Sequence, residues 1–263
     1  MNLEILCTQV QELAREVGQF IFEERLKFTA GDIIHKGKAD MVTYVDKNAE
    51  SRIVASLKQL LPGSGFIAEE GTAQDNGEKY RWVIDPLDGT TNYIHGISPF
   101  AVSIALMEDQ EIIMGVIYEI SLKEMFYAWK GSKAYLNGQE IQVSKASTTA
   151  DSLIATGFPY YDFSKLDNYL EAMNFFMRNS HGMRRLGSAA TDMAYVAAGR
   201  FEGFYEHALH SWDVAAGIII LKQAGGRVCD FNGGDNFIFG GEMIACNANY
   251  FDEFYTIVHK HLG

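Results

Sequence analysis

Apolar side chains recur every three or four positions at the start of the chain, at Leu3, Leu6, Val10, Leu13, Val17 and Phe20. That spacing lines one face of a helix, so a long amphipathic helix opens the chain and is over by Gly31. Ile53, Val54, Leu57 and Leu60 repeat the pattern in a second helix that starts at Asp46, and Pro62-Gly63 stops it. The period then shortens. Residues 66–68 read as an apolar strand delivering Glu69 and Glu70, and residues 80–84 as a strand delivering Asp85.

From Phe100 to Leu136 the pattern is β. Residues 101–107, 112–119 and 125–129 are rich in β-branched or aromatic side chains, with polar turns such as Glu108-Asp109-Gln110 between them. Asn137-Gly138 is a hairpin signal, because both residue types accept the positive φ of a tight turn. Residues 144–151 are small and polar. Strands then follow at 153–156, 201–206 and 242–246, and helices at 163–177, 188–198, 212–223 and 250–261. Helices mixed with antiparallel strands predict a layered α+β fold. The expected division is an N-terminal half, 1–143, and a C-terminal half, 144–263, joined in one compact unit.

Hydrophobic residues make up 48% of the 263, enough for a sizeable core. The net charge of -12 argues against a nucleic-acid partner, which calls for a basic face. It would also repel an anionic substrate unless cations neutralise the site, although an acidic surface serves solubility equally well. Three cysteines, Cys7, Cys229 and Cys246, lack metal-type spacing and suit a reduced cytoplasmic protein. Glu4, Glu12 and Glu16 interrupt any leader-like run, and the apolar stretch 214–221 is too short for a bilayer, so no membrane association is expected.

Candidate chemistry concentrates in Trp82-Val83-Ile84-Asp85-Pro86-Leu87-Asp88-Gly89-Thr90-Thr91-Asn92. A buried-type strand runs into two carboxylates around a proline, then a glycine and two threonines. Three further acidic clusters accompany it: Asp40 with Asp46, Glu69-Glu70-Gly71, and Asp213. Each has a plain structural reading. Asp46 and Asp213 sit where helix caps sit, Glu69-Glu70 could be a solvated strand end, and Asp-Pro-Leu-Asp-Gly forms turns readily. If the carboxylates converge, two like charges about 4 Å apart cost roughly 4 kcal/mol at an effective dielectric of about 20, and divalent cations are the natural remedy. All-oxygen ligation selects Mg²⁺ or Mn²⁺. HExxH, GxxxxGK[ST] and GxGxxG are all absent from the sequence, which removes support for zincins, P-loop enzymes and Rossmann dehydrogenases.

Residues 84–92, Trp212-Asp213-Val214-Ala215-Ala216-Gly217 leading to Gln223-Ala224-Gly225-Gly226, the segment Asp40 to Asp46, and Glu69-Glu70-Gly71 resemble, in order, the motifs of the inositol monophosphatase family, in a bacterial-type member. The resemblance covers nearly the whole chain. It implies a Mg²⁺-dependent, lithium-inhibited phosphatase with an αβαβα sandwich of the sugar-phosphatase type, usually a homodimer. By the same resemblance, Glu69, Asp85 and the Leu87 carbonyl would hold one Mg²⁺, and Asp85, Asp88 and Asp213 a second. A third ion would lean on Glu69. Thr90 paired with Asp46 would orient the attacking water. The N–H groups of Gly89 and Thr90 would receive phosphate. Asp88, Gly187, Ser188, Ala189 and Glu206 would contact the alcohol part, with Lys36 near the site.

The implied reaction is hydrolysis of a small polyol or sugar phosphate, with myo-inositol monophosphate first. Fructose 1,6-bisphosphate, NADP and 3′-phosphoadenosine nucleotides are alternatives, as is a regulatory protein with a vestigial site. His207 and His210 read as structural, Tyr160-Tyr161 and Phe175-Phe176 as core or dimer contacts, and Arg184-Arg185 as partners of surface carboxylates.

Overall fold

The structure, a computed structural model, describes residues 1–27, 33–35, 41–73, 77–159 and 162–263, with the backbone alone for 33–35 and 41–43. Gly31, Lys36, Asp40, Asn76, Tyr160 and Tyr161 lie outside the described residues. The expected opening helix is α1, Leu3–Arg25, whose first turn is capped by the Asn2 side chain accepting from the Ile5 N–H at 3.1 Å. A short pair, β1 (Ile33–His35) and β2 (Met41–Thr43), precedes α2, Tyr44–Leu60. The second helix thus begins two residues before Asp46.

A seven-stranded sheet follows: β3 (Gly65–Ala68), β4 (Tyr80–Asp88), β5 (Ala101–Glu108), β6 (Glu111–Glu119), β7 (Glu124–Trp129), β8 (Ala134–Leu136) and β9 (Gln139–Ile141), neighbours in that order. β3 pairs with β4 in parallel and every later pair is antiparallel. The β8–β9 turn is Asn137-Gly138, with φ of 49° and 82°, as the dipeptide demands. Between β4 and β5 lies the short helix α3, Thr90–His95.

The second sheet has the order β11-β10-β12-β14-β13. Its strands are β10 (Leu153–Thr156), β11 (Gly182–Arg184), β12 (Gly203–His207), β13 (Gly226–Cys229) and β14 (Glu242–Asn247). β10 runs parallel to both its neighbours, so this half is mixed rather than antiparallel. The helices are α4 (Leu166–Asn179), α5 (Ala189–Ala197), α6 (Ser211–Gln223) and α7 (Phe251–Leu262). α4 starts three residues later than its apolar pattern.

Strand alternation explains the layering. On β5, Ala101, Ala105 and Met107 join one core while Val102, Ile104 and Leu106 join another. The second core is filled from α1 and α2, the first from α5 and α6. On β14, Met243 and Ala245 face α5 and α6, while Ile244 and Cys246 face α4 and α7. Five layers result, α1/α2, sheet, α5/α6, sheet, α4/α7: an α+β fold of αβαβα order. α6 lies in the central layer, and every residue from Val214 to Leu221 is buried, as a helix apolar all round requires. Gly115 of β6 admits it so closely that a Cβ there would lie 2.6 Å from the Ala216 carbonyl oxygen. No helix among the described residues is long and apolar enough to cross a membrane.

Candidate active site

The acids gather where the seven-stranded sheet meets the starts of α5 and α6. Glu69 directly follows β3, and its N–H donates to the Ile84 carbonyl at 3.3 Å. β4 does not stop at Ile84 as its apolar run implies. It continues through Asp85 to Asp88, with a register shift between those two residues. Pro86 has no N–H to give the ladder, which accounts for a break there. Inside it the buried Asp85 accepts from the Leu87 N–H through Oδ1 at 2.9 Å. Gly89 then turns the chain with φ of 90°, where a Cβ would meet the Pro99 carbonyl at 2.9 Å. Thr90 opens α3, and its hydroxyl lies 3.1 Å from Asp46 Oδ1 and 3.0 Å from the Leu87 carbonyl. Asn92 ties this corner across the molecule by donating to the carbonyls of Pro99 and Leu186 at 2.8 and 2.7 Å.

The central helices supply the rest. Ser188 caps α5, accepting from the Thr191 N–H, and its hydroxyl donates to Asp88 Oδ2 at 2.6 Å. The Ala190 N–H donates to the same oxygen at 2.8 Å. Asp213 accepts from the His210 N–H at 2.6 Å, so the capping reading holds for it in part: the residue closes a capping box at the third position of α6. Asp46 instead lies inside the first turn of α2 and is 1% exposed.

Glu69, Asp88, Gly187, Ser188, Ala189, Glu206 and Asp213 line one cavity of about 370 Å³. Phe158, Arg185, His207, His210 and Trp212 also line it. Arg185 lines the cavity, with its guanidinium 5.2 Å from the Phe158 ring centre. His210 stacks on Trp212 at 4.6 Å, and His207 is buried with Nε2 lacking a hydrogen-bond partner among the described residues. Phe176 belongs to the α4/α7 core, with Phe175 packed against it. A larger cavity, about 610 Å³, lies elsewhere, between the β5–β6 turn and the end of α6, and shares no residue with the acid group.

Burial, then the charges of Asp213, Asp46 and Glu70, holds the Glu69 carboxyl well above the usual range. Burial, then Glu69, Asp88 and Asp213, does the same to Asp85. Burial pushes Asp88 up to about 6 against the Ser188 and Ala190 donors, which favour its anion. Asp213 rises to about 7 through burial and the nearby Asp88. Glu206 rises to about 8 through burial and Asp213, with Arg185 opposing.

Among the described residues, no three His, Cys, Asp or Glu side chains close on a single ligating point. The donor chemistry nevertheless fits a hard cation. Burial, with the neighbouring acids, favours a proton on each of the Glu69 and Asp85 carboxyls. A cation can replace those protons, and every donor in the group is oxygen.

Three residues here escaped the sequence reading. Asp192 of α5 is 1% exposed, its Oδ1 has no partner among the described residues, and burial, Glu206 and Asp88 raise its carboxyl well above the usual range. Gly157 follows β10 directly beneath the Glu206 carboxylate. Glu50 of α2 is fully buried. The i, i+4 spacing from Asp46 is the one signal that points to Glu50, and nothing local marks the other two.

The model of the inositol monophosphatase family matches residues 2–262. An inositol-1-monophosphatase of Mesorhizobium japonicum is 42% identical over 213 residues, covering 81% of this chain and 80% of that protein. The Nus factor SuhB of Pseudomonas aeruginosa is 40% identical over 254 residues, covering 95% and 94%. Among solved structures, the extragenic suppressor protein suhB of Bartonella henselae superposes with a TM-score of 0.90 at 37% identity, covering 95% of this chain and 97% of that one.

Proposed function

The chain belongs to the inositol monophosphatase family, and on that premise we propose that it hydrolyses phosphate monoesters of small polyols or sugars, with myo-inositol monophosphate first among them. Family membership supports phosphatase chemistry on a phosphorylated small molecule. The observation that carries the finer reading is the shared cavity of Glu69, Asp88, Glu206 and Asp213. Its volume of about 370 Å³ sits near the low end of ligand cavities, roughly 300–1,000 Å³, which favours a polyol over a dinucleotide.

Glu69, Asp85 and the Leu87 carbonyl would hold one Mg²⁺, and Asp85, Asp88 and Asp213 another, with Glu69 supporting a third. Mn²⁺ suits the same oxygens, and Li⁺ would compete there as an inhibitor. When bound, the ions supply positive charge that acidifies a water and offsets charge on the phosphoryl oxygens. The chain's own groups do the rest. Thr90, hydrogen-bonded to Asp46, orients the water and passes its proton toward that carboxylate. The N–H groups of Gly89 and Thr90 receive the phosphate. Asp88, Gly187, Ser188, Ala189 and Glu206 hold the alcohol. Cys7, Cys229 and Cys246 are all free thiols, which supports a cytoplasmic setting. We further propose a homodimer, and folding of 1–143 and 144–263 as one unit; the core shared by β5, α6 and β14 supports the latter.

A panel of phosphate esters assayed with Mg²⁺ tests the reading. Inositol monophosphates should give the highest kcat/KM, while dominance of fructose bisphosphate, NADP or a 3′-phosphoadenosine nucleotide overturns the polyol assignment. The name of the Pseudomonas relative, a Nus factor, favours a second reading in which the chain works through a macromolecular partner. Negligible turnover on every ester, together with a partner retained in EDTA, would establish that reading instead.

A further inference from the structure

Glu50 lies one helical turn beyond Asp46 on α2 and is 0% exposed. A carboxylate so buried needs donors, and two backbone groups supply them. The Glu70 N–H donates to Oε2 at 2.7 Å and the Thr72 N–H to Oε1 at 2.8 Å. Both donors belong to the turn that leaves β3 directly after Glu69. The other amides of that turn are held more loosely: Glu69 N–H to the Ile84 carbonyl and Gly71 N–H to the Ala68 carbonyl, each at 3.3 Å. Four successive N–H groups are thus satisfied alternately, by the main chain at 3.3 Å and by one side chain at 2.7–2.8 Å. The two Glu50 bonds fall within the usual N–H···O range of about 2.7–3.2 Å, and the two main-chain bonds fall outside it. Glu50 therefore carries most of what fixes this turn.

We infer that Glu50 is a positioning residue, which clamps the Glu69–Thr72 backbone so that Glu69 is presented to a divalent cation in register with the Asp46–Thr90 pair. The inference rests on the proposed metal role of Glu69 and extends it. Through α2, one rigid turn of helix links the two: Asp46 reaches Thr90, and Glu50 reaches the backbone beside Glu69. Without the clamp, Glu69 must be ordered at the moment the cation binds, and affinity falls by that ordering. A partner of this kind behind a metal ligand is typically worth about 10- to 100-fold in metal affinity.

The test uses the full chain and Glu50→Gln, which keeps the volume and one acceptor oxygen but turns an N–H toward one of the two backbone donors. Mg²⁺ binding is read by calorimetry, amide exchange at Glu70 and Thr72 by NMR or mass spectrometry, and activity as a function of Mg²⁺. Exchange at the two amides should quicken, the Mg²⁺ dissociation constant should rise about tenfold, and the loss of activity should fall mainly on Mg²⁺ half-saturation rather than on kcat. Glu50→Asp, a shorter carboxylate, should recover part of the affinity. Unchanged Mg²⁺ affinity despite quickened exchange overturns the inference, since the clamp would then be structural alone, and unchanged exchange overturns it outright. Should Glu50→Gln fail to fold, Glu50→Asp read by the same two measurements decides. A wild-type chain that binds Mg²⁺ but hydrolyses no ester would count against the phosphatase reading and leave the clamp standing.

Discussion

Thr90 and Asp46, 44 positions apart in sequence, meet through a hydroxyl–carboxylate contact of 3.1 Å. The threonine has a single proton to give and a second acceptor, the Leu87 carbonyl, at 3.0 Å. Its oxygen lone pairs stay available to a water, and Asp46 is the neighbour able to take up a proton. Proton transfer by a positioned group contributes about 10²- to 10⁴-fold. Thr90→Val and Asp46→Asn should each lower kcat within that range with little change in melting temperature. Steady-state assays that find kcat within threefold of wild type would remove the pair from the chemistry.

The metal-free protein should grow less stable as pH rises toward neutrality. Folded Asp88 and Asp213 keep their protons up to about pH 6 and 7, against 3.8 for an ordinary aspartate. The folded state thus binds more protons than the unfolded chain between roughly pH 4 and 7, so these groups stabilise fully below that window and lose their effect as pH rises through it. On the proposed function, Mg²⁺ would replace the protons. Melting curves with EDTA and with Mg²⁺ should separate widely at pH 7.5 and converge at pH 5. Equal curves at both values would show that the acids do not bind the ion.

Gly157 leaves room for the Glu206 carboxylate, since a Cβ there would fall 1.7 Å from Oε1. The colliding atoms end a movable side chain, so Gly157→Ala should fold normally and displace Glu206 instead. Losing one substrate hydrogen bond is worth about 1 kcal/mol, so KM for a polyol phosphate should rise roughly fivefold with kcat held nearly constant. A KM equal to wild type would take Glu206 out of substrate contact.

Gly115→Ala should act in the opposite way. Its added methyl would meet the backbone of Ala216, at 2.6 Å from the oxygen and 2.9 Å from Cα, and a buried helix cannot retreat. Overpacking of this kind costs about 1–3 kcal/mol. Urea denaturation should show that loss. A variant as stable as wild type would mean that α6 rests less tightly on β6 than the glycine implies.

Much of this fold was legible because long periodic runs dominate it. α1, β5 and β6 each follow from a run whose apolar spacing admits one reading, and α6 from an apolar run too long for a strand. β11 and β13, three and four residues long, went unread because their pairing partners define them rather than their own pattern. The helical pattern before α4 overshot at Phe163, where the Ser164 N–H bonds back to Asp162 in a turn. β4 ran past its expected end because a bulge let a proline ride within a strand. The acids of the site stood out as clusters. Glu50, Gly157 and Asp192 did not, since what distinguishes each is a neighbour from a remote part of the chain.

The cavity wall draws on residues from Glu69 to Asp213, with Asp88, from the early part of that range, fastened to Ser188 and Ala190, from its late part. A chain still emerging from the ribosome therefore lacks an acidic wall until Asp213 has cleared the exit tunnel. Glu69 and Asp88 are made first and wait for the partners supplied by α5 and α6, Ser188 lying 100 positions beyond Asp88.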